Sequence, residues 1–104
     1  MFVAIKRAIP NALVIAIITK EGLPIRIQSI LPEPTISALI SAVYNLSEIL
    51  SENLEFSIIA GENGSIIIHE LDERRILCVA VPEKEEKRLG SYVVKIKDII
   101  EKTR

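Results

Sequence analysis

Two stretches of this chain, ALVIAII at residues 12–18 and ILCVAV at 76–81, are apolar without a break. A strand with one wet face alternates apolar and polar residues, so an unbroken run requires cover on both faces. Over 12–19, Ala12, Val14, Ala16 and Ile18 fall on one face and Leu13, Ile15 and Ile17 on the other. In the later run Leu77, Val79 and Val81 oppose Ile76, Cys78 and Ala80. A sheet apolar on both sides is stable only between helices, which points to an α/β (α+β) sandwich of three layers. The longest run is seven residues, far short of the ~20 that a membrane-spanning helix needs, so no membrane insertion is expected.

The rest of the chain supplies the helices and turns. MFVAIKRAI places Phe2, Ile5 and Ile9 on one helical face and is ended by Pro10, because proline disfavours the helical region for the residue before it. KEG is a turn, with Gly22 free to adopt a positive φ, and PIRIQSI is a strand with Ile25 and Ile27 inward. Its proline and charge mark an edge strand that resists pairing with strangers. After LPEPT a long helix is predicted from about Thr35 to Asn53. Ile36, Leu39, Ile40, Val43, Leu46, Ser47, Leu50 and Leu54 fall in one sector, widened by Ala38, Ala42 and Ile49 on one side and Tyr44 on the other, an apolar arc wider than one sheet face requires. LEFSIIA, SIIIHEL and RILCVAV follow as strands, joined by a hairpin at Asn63-Gly64 and by the charged turn DERR. The final helix, within EKEEKRLGSYVVKIKDIIEK, is predicted to bury Leu89, Tyr92, Val93, Ile96, Ile99 and Ile100, with Gly90 a weak point inside it. The order is α-β-β-α-β-β-β-α, a five-stranded, mostly antiparallel sheet in one domain over 1–104, with the long helix on one side of the sheet and the terminal helices on the other.

With 104 residues there is room for one core. Residues of the apolar class make up 49% and charged ones 26%, at a net charge of −1, and basic residues gather on no segment. Nucleic-acid binding needs a basic stripe with aromatic platforms, and the chain has no Trp, two Tyr and two Phe. MFVAIKR lacks the pattern of a secretory leader, so the cytoplasm is the expected compartment. Ile is the commonest residue and Lys and Glu are abundant, a composition that leans toward a thermophile.

Chemistry-bearing motifs are absent. The chain contains no GxGxxG, P-loop, GxSxG or HExxH. His69 is its one histidine, which excludes His-pair acid–base chemistry and multi-His metal sites; it shares a strand face with Ile67 and Leu71 and reads as a partly buried or rim residue. Cys78 is the one cysteine and reads as a small buried hydrophobe. Arg74 and Arg75 are placed to reach a partner's carboxylates or phosphates, or simply to solubilise the turn. No catalytic, cofactor-binding or metal-ligating set is assigned, and the chain is expected not to be an enzyme.

Surface shape carries what remains. Strand 54–60 has neither proline nor lysine and holds Phe56, Ile58 and Ile59; left bare at a sheet edge it would invite aggregation. Together with the wide apolar arc of the long helix, this predicts a two-fold dimer. Its interface is expected to comprise Glu55, Phe56, Ser57, Ile58 and Ile59 on the strand, with Ala38, Ala42 and Ile49 on the helix. The polar stripe Ser37, Ser41, Asn45, Glu48 and Glu52 is the candidate surface for a further partner, with plain solvent exposure as its alternative.

IPNALVIAIITKEGLPI, followed by the helix from Thr35, the hairpin LEFSIIAGENGSIIIHEL and ILCVAVPE before a last helix, resembles the roadblock / dynein light chain family over essentially the whole chain. Gly22, Leu23 and Pro24 fit its opening signature, Asn11 stands where the family usually has Gly, and the first helix is shorter than usual. The resemblance implies a profilin-like/roadblock topology and homodimers, or heterodimers with a paralogue, formed through the third strand and the long helix. It also implies a non-enzymatic scaffold, with members that regulate small Ras-like GTPases as activating or exchange platforms and others that are structural light chains of motor complexes. A profilin- or PAS-like small-molecule sensor is the alternative of another class; it would need a pocket with convergent polar groups.

Overall fold

The computed structural model describes residues 1–19, 23–29 and 56–103. Helix α1 (Phe2–Ala8) leads through Pro10 to β1 (Val14–Thr19) and β2 (Pro24–Ser29); β3 (Phe56–Gly61), β4 (Gly64–Glu70) and β5 (Arg75–Val81) follow, then helix α2 (Glu86–Thr103). The long helix predicted over 35–53 lies outside the described residues, as does Gly22. The five strands form one sheet in the order β2-β1-β5-β4-β3, and each neighbouring pair is antiparallel. The two unbroken apolar strands, β1 and β5, are thus interior neighbours, with β5 in the middle.

A seven-residue helix is marginal alone. Here Phe2, Ile5 and Ile9 are all buried, each contributing roughly 1.5–3 kcal/mol. The exit is held by Lys6, whose Nζ donates to the carbonyls of Pro10 at 2.9 Å and Ala12 at 3.2 Å. With Leu89, Tyr92, Val93, Ile96 and Ile100 of α2, these side chains cover Ile15, Ile67, Leu71, Leu77, Val79 and Val81 on one face of the sheet. The other face buries Val14, Ala16, Ile18, Ile68, Ile76, Cys78 and Ala80. The division along β5 follows the predicted alternation residue by residue.

Four local readings need correction. The first apolar strand begins at Val14 rather than Ala12, and before that point the alternation fails: Ala12 packs with the terminal helices and Leu13 against the opposite face. Ile25 is not inward but 53% exposed; the β1–β2 register passes from Ile17↔Arg26 to Ile18↔Pro24, so Ile25 is the extra residue of a bulge and turns to solvent. Arg26 instead lays its guanidinium 4.5 Å from the centroid of the Phe2 ring. His69, read as partly buried or at the rim, is 3% exposed. Ile99 is half-buried, at the margin of the buried stripe of α2.

A candidate interaction edge

Strand β3 is the last of the sheet and pairs only with β4 among the described residues. Phe56 stands opposite His69, and Ile58 opposite Ile67, so both side chains lie on the face that α1 and α2 cover further in. That cover stops short of β3: Phe56 is 42% exposed and Ile58 37%. Phe56 stacks on His69 with ring centroids 5.7 Å apart. Ile59, on the opposite face, is half-buried against the second apolar cluster. Ser57 pairs through its backbone with Ile68. Of the other predicted interface and partner-surface residues, Ala38, Ala42, Ile49, Glu55, Ser37, Ser41, Asn45, Glu48 and Glu52 lie outside the described residues.

The register of this edge is set by a tight hairpin. Gly61 pairs with Gly64 around a two-residue loop, Glu62-Asn63, so the predicted Asn63-Gly64 turn is displaced by one residue. Gly64 has φ +145°, a conformation open in practice to glycine alone.

Arg75 is engaged within its own turn. Its Nε meets Asp72 Oδ2 at 2.7 Å, while Asp72 Oδ1 accepts the backbone N–H groups of Arg74 and Arg75, each at 2.8 Å. The Arg74 amide, first, and then the Arg75 side chain hold the Asp72 carboxyl below its ordinary value. Arg75 is therefore spent on shaping the turn rather than held out for a partner. A shallow cleft beside it is lined by Thr19, Ile25, Asp72, Glu73, Arg74 and Arg75. Two of its four charges already pair with each other, and it lacks the convergent polar groups a sensor pocket requires.

Cys78 is buried in the middle strand, and desolvation pushes its thiol up to about 12. A thiol so placed is neither nucleophile nor ligand at neutral pH. We expect it to be silent toward a chromogenic thiol reagent in the native protein and to react on the order of a thousandfold faster in denaturant; fast native labelling would contradict this burial.

A polar cluster that sequence reasoning missed sits at the far end of the sheet. The Tyr92 hydroxyl donates to Glu83 Oε1 at 2.7 Å, and the Asn11 side-chain amide donates to the same oxygen. Burial, and then the hydrogen bond to Glu83, raise the Tyr92 phenol above its ordinary value. Asn11 thus has a role where the resembled family carries Gly. The one signal available beforehand was that departure.

This five-stranded antiparallel sheet, with α1 and α2 on one face and β3 as its last strand among the described residues, has a roadblock-like fold, that of the Roadblock/LC7 domains. A Roadblock/LC7 domain from Streptomyces avermitilis superimposes with a TM-score of 0.73 over 94% of this chain and 89% of its own, at 11% identity. A structure described as MglB with tetrameric arrangement matches with a TM-score of 0.70, 18% identity, and 96% and 82% of the two chains. Myxococcus xanthus MglB gives 0.68, 19% identity, and 93% and 83%. At these identities the likeness is one of fold. No protein-family model and no curated protein matches the chain.

Proposed function

We propose that the protein is a non-enzymatic scaffold that pairs with a second copy along β3 and, as a dimer, binds and regulates a small Ras-like GTPase. The observation that carries the first half is the β3 edge: an apolar strand with Phe56 and Ile58 exposed and no described strand on its outer side. An antiparallel mate would satisfy the outward backbone groups and cover those side chains in one step. The tetrameric arrangement of one fold neighbour supports self-association as a habit of this architecture. The GTPase half is supported by the ordered sequence resemblance to roadblock proteins.

Docking of the GTPase is assigned to the segment predicted from sequence as the long helix, on the predicted polar positions Ser37, Ser41, Asn45, Glu48 and Glu52, which lie outside the described residues. The intact protein used as bait in extract of its own host should retain a Ras-like GTPase. Added to that GTPase, it should change the rate of GTP hydrolysis or nucleotide release by about tenfold or more, the size expected when a partner reorganises transition-state or switch contacts. A bait that retains no GTPase, or one whose rates it leaves unaltered, would reduce the role to tethering.

A further inference from the structure

Four hydrogen bonds converge on the two residues that follow Pro82. Ser65 Oγ donates to the Glu83 carbonyl at 2.8 Å, and Lys84 Nζ donates to the Glu62 carbonyl at 2.7 Å. These two hold the β3–β4 hairpin. The Tyr92 hydroxyl and the Asn11 amide, both donating to Glu83 Oε1, hold α2 and the loop between α1 and β1. Glu83 Oε2 is buried and accepts no hydrogen bond among the described residues, so the carboxylate depends on the two donors to its other oxygen. Backbone packing reinforces the junction: a Cβ at Gly64 would lie 2.4 Å from the Val81 carbonyl oxygen.

We infer that Glu83 and Lys84 link the β3 edge to the layer of terminal helices, so that occupation of the edge steadies the first turns of α2. Two elements clamped through one residue cannot relax independently. By reciprocity, whatever docks on α2 then shifts the strength of pairing at β3 by the same factor. The inference rests on the reading of β3 as a pairing edge. Tyr92 is outside β3, and its hydroxyl bonds two members of this junction, Glu83 and Asn11.

The test uses the full chain and the conservative Tyr92→Phe variant, which keeps the buried ring. Sedimentation should show the dimer weakened about fivefold, and amide exchange over residues 86–93 of the wild type should slow on dimerisation by a similar factor. A Tyr92→Phe dimer within twofold of wild type, with α2 exchange independent of protein concentration, would overturn the link. If the wild type is monomeric at every concentration, the pairing reading fails by itself, and the link is judged in the monomer. Ser65 and Tyr92 bond different atoms of Glu83. If linked, Ser65→Ala and Tyr92→Phe together should change the unfolding constant at least about threefold less than the product of their separate changes. A double variant equal to that product would refute it.

Discussion

Ile58→Lys is expected to leave the protein monomeric at concentrations where the wild type is paired. Ile58 is at the centre of the exposed edge, and its cross-strand neighbour Ile67 is buried, so one flank of any pairing surface here is already dry. A two-fold interface carries the substitution twice, and each ammonium would be buried without a partner at about 2–5 kcal/mol. A single such cost already raises the dissociation constant about a hundredfold. Lysine is also the residue natural sheets use to keep edges apart. Sedimentation velocity across a dilution series reads the result. Val94→Lys is the matched control, since Val94 is 68% exposed on α2 and should leave pairing unchanged. Should Ile58→Lys pair as tightly as wild type, β3 is not the interface.

The same edge shows what was legible before any coordinates. Interior strands declare themselves by lacking alternation, so β1 and β5 and their two-sided burial followed directly from ALVIAII and ILCVAV. Helix faces declare themselves by spacing, and Phe2, Ile5, Ile9 and most of the α2 stripe are buried as read. Three of the misreadings share a cause. Ile25, Leu13 and the hairpin turn all sit where a strand begins or a register slips by one residue, and period-two patterning carries no information about such a slip. The β2 bulge that exposes Ile25 depends on how the chain closes the preceding turn, a matter of backbone geometry rather than of apolar pattern.

Candidate sites divide along the same line. The exposed apolar edge strand was legible because it is a property of a continuous segment: no proline, no lysine, three large apolar residues. The Asn11–Glu83–Tyr92 cluster was not, since its members come from three separate elements 72 and 9 positions from Glu83 and none is unusual in its own neighbourhood. A polar junction assembled by topology leaves a trace in one sequence only where a residue departs from a pattern, as Asn11 does. Its effect is local order: it fixes where α2 starts relative to the hairpin that presents β3.

That hairpin is also where a single methyl group should do most harm. Gly64→Ala is expected to cost about 3 kcal/mol or more, from two sources that add. A φ of +145° is strained by roughly 1–3 kcal/mol for a residue bearing a Cβ, and the new atom would lie 2.4 Å from the Val81 carbonyl oxygen and 3.1 Å from Pro82 Cα. Both obstacles are backbone, so relief requires the hairpin to move away from β5, loosening the Ser65–Glu83 bond and the presentation of Phe56 and Ile58. Gly90→Ala is the opposing case. Gly90 is inside α2, a Cβ there would meet nothing within 4 Å, and the substitution should stabilise the protein by about 0.5–1 kcal/mol through helix propensity. Urea unfolding of both variants reads the signs directly. A Gly64→Ala protein as stable as wild type would mean that the hairpin closes with a different register, and that the side chains assigned to the edge of β3 are not the ones presented there.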